Sequence, residues 1–141
     1  MKDKFEQISN KTGFMKHNGG ILFRKISNTE FEFKVTIDEN KLNSAGITHG
    51  GYICSIIDAG SGTAAHRATD NTPCVTISLD IKFIGATKTG DEIKGFTKIQ
   101  KITKSMVFLI CYLESNSKLI ASASGVWKKL NKNISSFGPG G

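Results

Sequence analysis

The segment from about Thr48 to Ala68 carries Ile53, Ile56, Ile57, Ala64, Ala65 and Ala68 without a proline, and it is long enough for about five helical turns. Every apolar stretch after it has the period of a strand. Val75, Ile77, Leu79, Ile81 and Phe83 alternate with Thr76, Ser78, Asp80 and Lys82, and Gly85 to Gly90 then turns the chain. Ile93 to Ile102 and the apolar Met106 to Glu114 follow, Ser115-Asn116-Ser117 turns again, and Leu119 to Leu130 closes the run. With no second long helix to make parallel crossovers, the expected class is α+β, an antiparallel sheet wrapped around one long central helix. Met106 to Glu114 is expected in a central position of that sheet.

Ahead of the helix, Ile21-Leu22-Phe23 leads through Ser27-Asn28 into Phe31, Phe33, Val35 and Ile37, a pattern that reads as a hairpin ending in a half-buried strand. Phe5, Ile8, Thr12 and Met15 fall at helical spacing, which predicts a short helix within an N-terminal segment, residues 1–19. The Ser- and Gly-rich residues 132–141 are expected to be a disordered tail, leaving 20–131 as the folded domain. Gly60, Gly62, Ala64 and Ala65 suit a helix lying close against a curved sheet. The glycines cost the helix about 1 kcal/mol each relative to alanine, so tertiary packing has to hold it.

At 141 residues the chain suits one domain with a real core. Its longest apolar run, Met106 to Leu113, is far short of a membrane span. The N-terminus lacks an apolar signal core, and Asp3 and Glu6 argue against a transit peptide, so a cytoplasmic location is expected. Cys54, Cys74 and Cys111 have neither zinc-ligand nor paired-disulfide spacing and read as small buried hydrophobes. The net charge of +7 comes from lysines spread along the chain without any nucleic-acid recognition motif. It suits an anionic ligand as well as a solvated surface.

The chemistry concentrates between Asn43 and Asp58. Thr48 is a fair N-cap, and Gly50 and Gly51 would expose unpaired backbone N–H groups where the helix dipole favours a developing oxyanion. Asp58 follows among Ile56, Ile57 and Ala59, surroundings in which an aspartate invites a functional reading. The run Ile56 to Thr63 could alternatively be a strand and phosphate-gripping loop. That reading needs two large lobes around a nucleotide, which 141 residues cannot supply.

Asn43, then His49-Gly50-Gly51 six positions later, then Asp58 nine after the His, followed by Val75-Thr76-Ile77-Ser78-Leu79-Asp80-Ile81-Lys82-Phe83, together resemble the hotdog-fold acyl-CoA thioesterases of the phenylacetate-degradation and 4-hydroxybenzoyl-CoA type. The resemblance covers roughly residues 20 to 130. It implies that the Gly50 backbone N–H, helped by the Asn43 side chain, polarises the thioester carbonyl. Asp58 would be general base or nucleophile, the Thr76 hydroxyl would hold the water, and His49 would brace the turn or move a proton. No cofactor is implied beyond coenzyme A as part of the substrate, and thioester hydrolysis requires no metal. Gly51 and Asn43 would help bind substrate. The basic balance suits the CoA phosphates, with Arg67, Lys82, Lys88, Lys98, Lys101 and Lys104 as undifferentiated candidates to bind them. Phe23, Tyr52, Phe83 and Phe108 hint at an apolar lining. A non-catalytic acyl-CoA-binding protein of the same fold is the alternative, although a pure binder has no need of Asp58 beside an oxyanion donor.

Helix geometry adds an expectation of its own. Gly50 and Asp58 are separated by about 12 Å of rise and roughly 80° of rotation, whereas donor and base must both lie within about 3 Å of one reaction centre. A two-fold homodimer resolves the conflict, Asn43 and Gly50 of one subunit facing Asp58 and Thr76 of the other. The resemblance implies the same arrangement, commonly with two dimers in a tetramer.

Overall fold

The computed structural model describes residues 2–130. Among them, seven strands form one sheet in the order β1-β2-β3-β5-β6-β7-β4, every neighbouring pair antiparallel. The strands are β1 (Glu6–Gln7), β2 (Leu22–Lys25), β3 (Glu30–Thr36), β4 (Cys74–Phe83), β5 (Glu92–Ile102), β6 (Met106–Ser115) and β7 (Lys118–Lys129). A short α1 (Phe14–His17) precedes β2, and the 19-residue α2 (Gly50–Ala68) packs against the concave face of the sheet. This is the hotdog architecture, with β6 inside the sheet as its apolar run requires. No helix among the described residues is long and apolar enough to cross a membrane. The tail at 132–141 lies outside the described residues.

The core is the seam between α2 and the inward residues of the strands. Ile56 and Ile57 from the helix meet Phe33, Ile93, Leu109, Leu113 and Trp127 from the sheet, all at most 1% exposed. The helical glycines have a specific task here. A Cβ at Gly60 on α2 or at Gly95 on β5 would overlap the ring of Phe33, which lies between the two backbones. The helix gives up intrinsic stability at Gly60 so that one aromatic ring can fill the gap to the sheet.

Two local expectations are corrected. Residues 3–17 do not make one helix: β1 pairs with β2, and only Phe14–His17 is helical. Of the side chains at helical spacing, Phe5 and Ile8 flank β1 and only Met15 is helical, because β2 offers an open edge that takes the backbone of Glu6 and Gln7. The three cysteines are free thiols, yet only Cys111 is buried, while Cys54 and Cys74 are half-buried. Burial pushes the Cys111 thiol up to about 12 and raises the other two as well, so none is a ready nucleophile.

Candidate active site

The loop before α2 is wound around Asn43. Leu42 and Thr48 form an isolated bridge, the Asn43 N–H donates to the Ile47 carbonyl at 2.7 Å, and Asn43 Oδ1 accepts from Ala45 N at 2.9 Å and Ile47 N at 3.3 Å. Gly46 takes the left-handed φ of 82° that closes the turn. With Oδ1 committed to the loop, the Asn43 Nδ2 amide has no hydrogen-bond partner among the described residues and remains available as a donor.

Thr48 is not the helix cap. Its N–H donates to the Thr87 carbonyl at 2.9 Å, and its hydroxyl lies 2.6 Å from that of Thr87, both side chains buried. His49 is the N-cap instead, extended at φ −63° and ψ 134°, with Nδ1 accepting the Gly51 N–H at 2.8 Å. An imidazole accepting at Nδ1 carries its hydrogen on Nε2, so His49 braces the turn. The His49 N–H donates to the carbonyl of Lys41, whose buried ammonium pairs with Asp38 at 2.8 Å and holds that carboxyl below its usual range. Burial raises the neighbouring Tyr52 phenol.

The His49 carbonyl accepts from Tyr52 and Ile53, which leaves Gly50 as the first-turn N–H without a partner among the described residues. The two glycines of the motif are there for different reasons. A Cβ on Gly51 would stand 2.9 Å from His49 Nδ1 and break the cap, whereas a Cβ on Gly50 would meet the Phe83 ring at an ordinary 3.5 Å. Packing therefore demands glycine at 51 but not at 50, and what Gly50 preserves is open approach to its own N–H. Gly50→Ala is accordingly expected to leave the melting temperature unchanged or raise it, by up to about 1 kcal/mol of stability, while lowering turnover at least about tenfold. Paired thermal melts and thiol-release rates check this; unaltered turnover would remove the Gly50 N–H from the site.

Asp58 is exposed, not enclosed as its sequence neighbours suggest. Ile56, Ile57 and Ala59 turn toward the sheet while a rotation of about 100° per residue carries Asp58 off that face. Its Oδ1 accepts the Thr76 hydroxyl at 2.6 Å. A β-bulge makes that contact. Leu79 pairs with Gly125 and Ile81 with Ala123 on the inner face, but the register shifts between Thr76 and Ser78, so that Thr76 instead of Ile77 stands opposite the inward Trp127. The extra residue, Ile77, is left 53% exposed, and Thr76 is turned toward the helix.

The remaining expected residues fall elsewhere. Arg67 lies in the last turn of α2, about 25 Å of helix from Gly50, and is paired with Glu6 at 2.9 Å. Lys82 is paired with Asp80 at 2.6 Å, both exposed. Phe23 is a core residue and Phe108 is on the sheet's outer face, whereas Tyr52, with His49 and Gly51, lines a cavity of about 300 Å³ reaching α1. The Thr48–Thr87 clasp was not readable in the sequence, since nothing local ties two threonines 39 residues apart.

The site thus pairs an open N–H at a helix start with a hydroxyl-bonded carboxylate farther along the same helix, and the thioesterase superfamily model matches residues 45–115, the stretch holding all of these groups but Asn43. The chain belongs to the thioesterase superfamily. This thioesterase is 33% identical over 110 residues to a candidate esterase of Pseudomonas aeruginosa, across 77% of this chain and 82% of that protein. It is 28% identical over 90 residues to mouse acyl-coenzyme A thioesterase 13, across 62% and 64%. The zebrafish thioesterase superfamily member 2 structure is similar in fold, with a TM-score of 0.79 at 21% identity over 86% of this chain and 90% of that one.

Proposed function

We propose that this thioesterase hydrolyses an acyl-CoA to the free acid and CoA at two equivalent sites in a homodimer. The Gly50 N–H and the Asn43 amide hold the carbonyl oxygen of the thioester. Asp58 from the facing subunit, its carboxylate oriented by Thr76, takes a proton from water as the water adds to the carbonyl carbon. Alternatively, the carboxylate adds directly and the resulting anhydride is hydrolysed. Collapse of the tetrahedral intermediate breaks the C–S bond. In the general-base route, the proton held by Asp58 passes to the departing sulfur.

The observation that carries this reading is the position of β4. It ends the sheet with one side unpaired, ten residues long with Ile77 exposed, the kind of edge that a second strand covers. Thr76, bonded to Asp58, stands near one end of β4, and Phe83, against Gly50, stands at the other. A two-fold axis passing between Leu79 and Asp80 would set Thr76 opposite the partner's Phe83, and so bring each carboxylate toward the other subunit's helix start. The similarity to mouse acyl-coenzyme A thioesterase 13 supports the acyl-CoA class. The exposed Phe108, Ile110 and Tyr112 on β6 offer a face for a second dimer.

Asn43→Ala and Asp58→Asn proteins, each nearly inactive, are expected to recover activity when unfolded together in equal amounts and refolded. A mixed dimer holds one intact and one doubly damaged site, and random pairing makes about half the dimers mixed, so about a quarter of wild-type activity should return. Mixed dimers seen by mass spectrometry without any gain over the separately refolded variants would place both residues in one chain's site.

A further inference from the structure

Phe83 is 59% exposed at the end of β4, yet its position is tightly set. Its Cε1 and Cζ atoms come within 3.5 and 3.8 Å of where a Gly50 Cβ would stand, so the ring lies beside the open N–H of α2. The chain beyond it is tied down at once. Ile84 and Gly85 both donate to the Ile120 carbonyl, at 2.8 and 3.0 Å, and a Cβ at Gly85 would meet the Leu119 carbonyl oxygen at 2.9 Å. Two residues later Thr87 clasps Thr48, immediately before the His49 cap. Ring and donor are therefore carried on one connected frame, with much of the ring's apolar surface left uncovered by its own chain. The hydrogen-bonding groups of the site are Asn43 and His49 on the donor side and Asp58 and Thr76 on the other.

We infer that Phe83 is a specificity-determining residue, the wall against which the apolar part of the acyl group packs while its carbonyl reaches the Gly50 N–H. The inference rests on the thioesterase reading above and adds a substrate class, acyl groups with an apolar chain beyond the carbonyl. An acetyl group is too short to cover the ring, while a chain of several methylenes gains with each one laid on it. Phe83 makes no bond to the reacting atoms. Its contribution is to the difference between long and short substrates.

The test measures kcat/KM for acetyl-, butanoyl- and octanoyl-CoA with wild type, Phe83→Ala and Phe83→Leu, together with equilibrium binding of the matching non-hydrolysable thioether analogues. Molecular size and melting temperature are followed alongside. Phe83→Ala is expected to lower kcat/KM for octanoyl-CoA about tenfold and for acetyl-CoA less than about twofold, with Phe83→Leu recovering most of the difference. Binding of the octanoyl analogue should weaken in parallel. Should Phe83→Ala alter the dimer, Phe83→Leu carries the comparison, with a smaller loss confined to the longer chains. An equal loss across all three substrates, or none, would overturn the inference, reducing Phe83 to a brace for the helix start or to surface. Length-dependent binding that Phe83→Ala abolishes, without hydrolysis by wild type, would overturn the proposed reaction and keep the wall. Absence of binding by wild type would overturn both.

Discussion

Replacing Asp58 by asparagine is expected to lower thioester hydrolysis by more than about 100-fold while leaving the melting curve in place. The structure makes this a clean substitution. Asp58 is exposed and its Oδ1 only accepts a hydrogen bond, from the Thr76 hydroxyl at 2.6 Å. An asparagine carbonyl oxygen can accept that same bond, so shape and local contacts survive. What is lost is the capacity to take a proton from water or to attack carbon, which no amide has at neutral pH. Rates of free-thiol release and a thermal melt on the same preparation check the two halves of the expectation. Retention of more than about a tenth of wild-type turnover with an unchanged melt would remove Asp58 from the chemistry.

Gly95→Ala is expected to have the largest effect on stability, through the core instead of the site. An added Cβ would fall inside the ring of Phe33, which is fully buried and confined on its other side by Gly60 of α2. The ring has no free volume to move into, so either β5 or α2 must shift. Overpacking of this kind costs about 3 kcal/mol. For a domain of this size that corresponds to a fall of roughly 10 °C in melting temperature. Combining Gly95→Ala with Phe33→Leu should restore part of the loss, because a smaller side chain vacates the space the new methyl takes. A melting temperature within about 2 °C of wild type for Gly95→Ala alone would show that the helix is not held to the sheet through this ring. The same shift would also move Asp58, two residues before Gly60, so activity should decline in step with stability.

The fold was legible wherever one local period decides an element. The alternation from Val75 to Phe83, the apolar run from Met106, and one proline-free helical stretch led to an antiparallel sheet around α2, with strand bounds within a residue or so of those observed. The spacing of Asn43, His49, Gly50 and Asp58 was equally local and led to a helix start and a carboxylate on one element. In the structure His49 and Asp58 are exposed and Asn43 and Gly50 are half-buried. Periodicity fails where a distant partner chooses between local options. Thr48 and His49 are both competent caps, and Thr87, far along the chain, decides between them by engaging Thr48. Residues 3–17 could form a helix in isolation, but the open edge of β2 takes Glu6 and Gln7 as a strand. Strict alternation would place Thr76 on the outer face with Asp80 and Lys82, away from Asp58. Only the pairing of β4 with β7 inserts the bulge that turns Thr76 inward. Local sequence dictates the long helix, the main strands and the chemical groups they carry, because those follow from contacts a few residues apart. Capping, register and the direction of Thr76 are settled by competition among hydrogen bonds across the sheet, and that competition exists only once the strands have met.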